Sequence, residues 1–237
     1  MDELLQVLTT YDWGGDRNAL GGIAQRVAQV HADPDLRAPL EAGFVGILES
    51  AAPLPAKEFV CRRLAMIGTA ASVPALGAML GDEATNNMAR MALEQIPDAA
   101  AGEKLREALP SLTGLPRVGA IASLGQRGET AAVGMLGGLL GDADEAAAVA
   151  AAQALGQIAD DRSAEALAGA LASASGQRRV AVLDAYLRCA DRCVATGARD
   201  KARAIYTAVS QSPDTTKGIA MAAAQGLGRF NAEGATS

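Results

Sequence analysis

Residues 63–82 read RLAMIGTAASVPALGAMLGD and residues 153–171 read QALGQIADDRSAEALAGAL. In both, a Leu is followed twelve residues later by a second Leu and four residues after that by a third: Leu64, Leu76 and Leu80 in the first, Leu155, Leu167 and Leu171 in the second. Two further sets, Leu93/Leu105/Leu109 and Leu124/Leu136/Leu140, share this spacing, and the four starts advance by 29, 31 and 31 residues. A four-residue step returns to the same side of an α-helix, whereas each twelve-residue gap holds a break: Gly68, Pro97, Gly128 or the Asp160-Asp161 pair. Each unit therefore predicts a helix, a turn and a second helix. The second helices are expected to stop at Gly81-Asp82, Pro110-Ser111 and Gly141-Asp142, where Gly or Pro ends the periodic pattern.

A hairpin of about 30 residues carries one apolar stripe per helix and cannot bury both alone, so successive hairpins must stack. The expected fold is all-α, a right-handed α-α superhelix of the solenoid kind, with a helical N-terminal cap and a longer C-terminal hairpin. The two quoted segments closely resemble the short HEAT-like repeats of the phycobilisome lyase type, over roughly residues 57–175. The chain also resembles HEAT-repeat, armadillo-like modules of bacterial proteins of the planctomycete and verrucomicrobial kind. Those resemblances imply a modular protein-binding role and assign no active residues.

Four segments are expected. Residues 1–52 form a helical cap: DELLQVLTT, GDRNALGGIAQRVAQVHA and DPDLRAPLEAGFVGILESA read as three helices, the last opening at Asp33-Pro34, and Ala51 to Pro55 stops the block. Residues 56–175 hold four HEAT-like hairpins. Residues 178–230 hold a longer hairpin and a capping helix over 216–230, and residues 231–237 form a disordered tail. In the longer hairpin Leu187 takes the next first-helix position, and Gly197, Ala202, Tyr206 and Pro213 resemble the small, aromatic and terminal positions of a tetratricopeptide hairpin.

Composition narrows the function classes. A net charge of −6 opposes wrapping around nucleic acid, where affinity comes from Lys and Arg neutralising phosphates, so nucleic acid is disfavoured as a partner. The longest weakly charged stretch, residues 130–141, is about half a bilayer span and lies between Glu129 and Asp142, so no membrane segment is expected. The start MDELLQVLTTYDW lacks a basic segment before an apolar run, so no signal peptide is expected; the compartment is cytoplasmic if the chain is complete and exported if it is a processed module.

Little in the sequence points to catalysis. The single histidine, His31, sits at a predicted helix end near the C-terminal dipole, and one histidine cannot supply the several His-Glu pairs that HEAT-repeat metal hydroxylases need. Cys189 and Cys193 are four apart on one predicted helix without a further Cys or His nearby, and Cys61 lies one turn before Leu64, so all three read as core thiols and no metal is expected. The run GMLGGLLG falls inside a repeat helix, not after a strand, so it does not read as a phosphate loop and no cofactor is expected. The expected role is a non-catalytic scaffold or adaptor that binds another protein, or another subunit or module of a larger assembly. The alternative, implied by the repeat type, is a phycobilin-lyase-like or other ligand-binding accessory enzyme.

If the second helices line the concave face, as the resemblance implies, positions two before and two after their first Leu point away from the core. These are Pro74/Ala78, Glu103/Glu107, Gly134/Gly138 and Glu165/Gly169. Glu103, Glu107, Gly134, Gly138, Glu165 and Gly169 are the candidate partner-binding residues. An interior helical Gly costs about 1 kcal/mol relative to Ala, so the Gly pair calls for either a closely approaching partner or tight packing between hairpins. The set Arg178, Arg179, Arg188, Arg192, Arg199, Lys201 and Arg203 outnumbers Asp184, Asp191 and Asp200, and reads as a solvated basic hairpin or a site for an acidic partner or nucleic acid.

Overall fold

The structure, a computed structural model, describes residues 3–213 and 215–234, and among these no strand occurs. It divides into two compact units, residues 1–123 and 124–237. Within each, helices stack in chain order, the packing of an all-α solenoid.

In the first unit, α1 (Glu3–Gln6) continues as a 3₁₀ turn, and short 3₁₀ turns also lead into α2 (Gly21–Gln29) and α3 (Arg37–Glu49). Leu5 and Leu8 from the first segment, Ile23 and Val27 from α2, and Phe44 and Ile47 from α3 are buried together in the cap's core. Asp33 accepts the Asp35 N–H at the entry to α3, the start signal expected of Asp33-Pro34. Pro53 and Pro55, expected only to stop this block, instead open α4 (Leu54–Ile67): the first turn of a helix needs no backbone N–H from proline.

The repeats follow as α4 with α5 (Val73–Ala78), α6 (Asn86–Gln95) with α7 (Ala99–Ala108), and then α8 (Gly114–Gln126). Helix α4 packs on α6 and α5 on α7, while α5 to α6 and α6 to α7 pack within and between hairpins. The cap is fastened by one buried carboxylate. Glu41 on α3 accepts the Thr69 backbone N–H at 2.7 Å and the Thr69 hydroxyl at 2.9 Å, and Thr69 Oγ1 in turn accepts the Ala71 N–H. Thr85 and Asn86, also buried, donate to the carbonyls of Met79 and Leu80 and hold the turn between α5 and α6. At these two turns the buried polar side chains find partners, as burial requires.

In the second unit α8 ends and is followed by α9 (Val133–Leu139), α10 (Glu145–Ile158), α11 (Asp161–Ala170), α12 (Gly176–Ala195), α13 (Arg199–Ser210) and α14 (Lys217–Gly234). Asp144 and Asp160 cap α10 and α11 by accepting the N–H groups of Ala146 and Ser163. The break expected at Asp160-Asp161 lies one residue earlier: Ala159, at φ 51°, makes the left-handed exit from α10, and Asp161 is already helical. Helix α12 is 20 residues long, the lengthened first helix of the last hairpin, and packs on α10, α11 and α13; α14 covers α12 and α13. The last helix runs to Gly234, so residues 231–234, expected in a disordered tail, are helical, and 235–237 lie outside the described residues.

Eleven of the twelve repeat leucines are buried and Leu171 is half-buried. Burying a leucine side chain contributes about 1.5–3 kcal/mol, so this register alone is a large part of what favours the stack.

Candidate partner-binding surface

All eight second-helix positions picked out by register are exposed, because each sits across its helix from a buried leucine. In the first unit α5, which carries Pro74 and Ala78, packs on α7, which carries Glu103 and Glu107. Lys104 crosses between these helices: its side chain lies over Gly77, and its ammonium pairs with Glu107 at 2.6 Å. Glu103 has no such partner among the described residues. In the second unit α9, which carries Gly134 and Gly138, packs on α11, which carries Glu165 and Gly169.

The glycines separate into two kinds. A Cβ on Gly125 would lie 2.6 Å from the Ala154 Cα, and one on Gly156 would lie 2.8 Å from the Ala185 Cα; these glycines let α8, α10 and α12 approach backbone to backbone. A Cβ on Gly138 or Gly169 would meet nothing within 4 Å, and one on Gly134 only the tip of Arg162 at 3.8 Å. Packing between hairpins therefore accounts for Gly125 and Gly156 and does not account for Gly134, Gly138 or Gly169.

The basic C-terminal hairpin is largely engaged in holding itself. Arg179 donates to the carbonyls of Leu171 at 2.6 Å and Pro213 at 2.9 Å and to Ser212 Oγ at 2.6 Å. Arg188 pairs with Asp184, Lys201 with Asp161, and Arg199 and Arg203 lie over the Phe230 ring. Tyr206, buried, donates to Asp191 at 2.5 Å, and burial together with that bond pushes its phenol up to about 12. The three thiols are buried; burial pushes those of Cys61 and Cys189 up to about 12, which keeps them protonated near neutrality. Among the described residues no group of three or more His, Cys, Asp or Glu side chains is placed to hold a metal ion. His31 is exposed just beyond α2.

One feature carried no sequence signal. Tyr11 and Trp13, in the loop after the first helical segment, meet Arg17 and the α4 residues Phe59, Arg62 and Arg63 around a cavity of about 380 Å³. The chain has seven aromatic residues, and three of them line this recess although Phe59 lies 46 residues from Trp13 and 48 from Tyr11. Neither segment shows a spacing motif, because the recess exists only where the loop crosses α4.

No helix among the described residues is long and apolar enough to cross a membrane. No curated protein matches the chain closely enough to count as a relative. The HEAT repeats family matches residues 114–186, from the start of α8 into α12. That stretch holds the 31-residue period, the buried leucine register and the close glycine contacts, and the hairpins before it share the leucine register, so the match and the all-helical stack together support a HEAT-like repeat protein.

Proposed function

We propose that the chain is a scaffold that binds another protein, or another module of a larger assembly, through the solvent faces of its second helices. The observation that supports this most strongly is the exposed glycine set. A Cβ on Gly138 or Gly169 would meet nothing within 4 Å among the described residues, so each leaves helix backbone bare at a helix-propensity cost of up to about 1 kcal/mol. A partner backbone seated there would offset that cost through close contact. HEAT repeats are typically interaction scaffolds, which points the same way. Glu103 and Glu107 in the first unit, and Glu165 in the second, give the second-helix face of each unit an acidic character that suits a segment with basic residues.

The experiment is affinity capture from native extract with the parent chain and with the Glu103→Lys/Glu107→Lys double variant, read by cross-linking and mass spectrometry. A protein held by the parent, cross-linked at α7, α9 or α11, and released in the variant is the expected result. Equal retention by both, with unchanged salt dependence, removes the acidic-face reading. A coloured or mass-shifted preparation without a protein partner would favour the ligand-binding accessory enzyme instead.

A further inference from the structure

The recess beside the N-terminal cap combines clustered guanidinium groups with aromatic walls. Three guanidinium groups, those of Arg17, Arg62 and Arg63, line it against one carboxylate, Glu58, and that carboxylate is already paired with Arg62. The nearby Asp12 and Asp16 are outside the lining, and accept the backbone N–H groups of Trp13 and Asn18. The site thus carries local positive charge on a chain whose net charge is −6.

Two of these arginines have unused hydrogen-bonding capacity. Arg17 is exposed and makes no ion pair or hydrogen bond among the described residues. Arg63 stacks on the Phe59 ring at 4.7 Å, and its Nε, shielded from solvent, finds no acceptor. A shielded donor without an acceptor is costly unless a ligand supplies one. Trp13, an exposed indole at the rim, and Tyr11 provide flat apolar walls.

From this geometry we infer that the recess binds a small organic anion with a planar apolar body and an oxyanion head, the ring against Trp13 and Tyr11 and the head toward Arg17 and Arg63. A guanidinium recognises carboxylate and phosphate by the same forked geometry, so both heads belong to the class. The cavity of about 380 Å³ is within the usual range for small-molecule sites. The site is separate from the second-helix faces and stands or falls independently of the scaffold reading.

Trp13 is the single tryptophan, so its indole N–H gives one assignable signal in the ¹⁵N-labelled chain. That signal is followed while 3-phenylpropionate, phenyl phosphate and the neutral 3-phenylpropanamide are added in turn. The expected result is a saturable shift with at least one anion, with the amide binding about tenfold more weakly or worse, since a charge-assisted contact is lost. Arg63→Gln should weaken the anion by about tenfold. Arg17→Gln, at an exposed position without structural bonds, should weaken it without touching the fold. Binding of 3-phenylpropionate alone would assign a carboxylate ligand, and of phenyl phosphate alone a phosphate ester. No saturable shift with either anion, equal affinity for the amide, or full affinity in the Arg17→Gln chain would overturn the inference.

Discussion

Neighbouring first helices are keyed together in two different ways in the two units. In residues 124–237 the key is steric. Gly125 sits against Ala154 and, 31 residues on, Gly156 sits against Ala185, while α10 buries Ala147, Ala148, Ala150, Ala151, Ala152 and Ala154. Small residues at these points let backbones approach, and any added atom collides with main chain. In residues 1–123 the key is polar. Ser123, which stands one period before Ala154, donates to Glu94 at 2.7 Å and accepts from Arg90 at 2.9 Å, and Glu94 occupies the place that Gly125 takes one period later. The same register is therefore specified by exclusion in one unit and by hydrogen bonding in the other. Steric keys tolerate no enlargement, whereas polar keys tolerate no loss of a partner.

The deepest test of that shared register is leucine truncation. Leu93→Ala and Leu155→Ala should each destabilise by about 2–5 kcal/mol in urea unfolding, because both side chains are fully buried and leave cavities. A small loss at either position would mean that the leucine stripe is not what both units have in common.

The steric key is tested by one substitution at two glycines. Gly156→Ala should cost about 1–3 kcal/mol through collision with Ala185. Gly138→Ala, whose Cβ meets open space, should stabilise by up to about 1 kcal/mol. Equal signs would defeat the division of glycines into packing and exposed kinds. The polar key is tested by Ser123→Ala, which should cost about 1–2 kcal/mol by leaving Arg90 and Glu94 without the hydroxyl between them.

The smallest effect belongs to the turn. Gly128, at φ +64°, and Ala159, at φ 51°, stand 31 residues apart at the same exit from a first helix. An alanine in the left-handed region is strained by about 1–2 kcal/mol, part of which glycine's chain entropy would return. Ala159→Gly should therefore raise stability by about 0.5–1 kcal/mol, read as a higher urea midpoint. No change would mean that surrounding contacts already relax the turn.

Much of this was legible in the chain. The leucine spacing placed the hairpins, and its mirror image on each second helix placed Glu103, Glu107, Gly134, Gly138, Glu165 and Gly169 on the exposed side, since both follow from 3.6 residues per turn. The Asp160-Asp161 pair marked the last repeat break to within one residue; the actual exit uses Ala159, which no propensity rule selects for a left-handed turn. Pro53 and Pro55 were legible as punctuation but not as the opening of α4, because proline both ends one helix and begins the next.

What the sequence determined by itself is periodic: an all-α chain of stacked hairpins, which side of each helix is buried, and the small and acidic residues left facing solvent. Those properties depend on neighbours three, four and about thirty residues away, and a repeat writes them down several times over. Tertiary structure alone decided which glycines are crowded and which are bare, which arginines are engaged in holding turns, and that Tyr11, Trp13 and Phe59 meet three arginines in one recess. Each of those depends on a single meeting of segments that no period repeats, so only the packed chain brings them together.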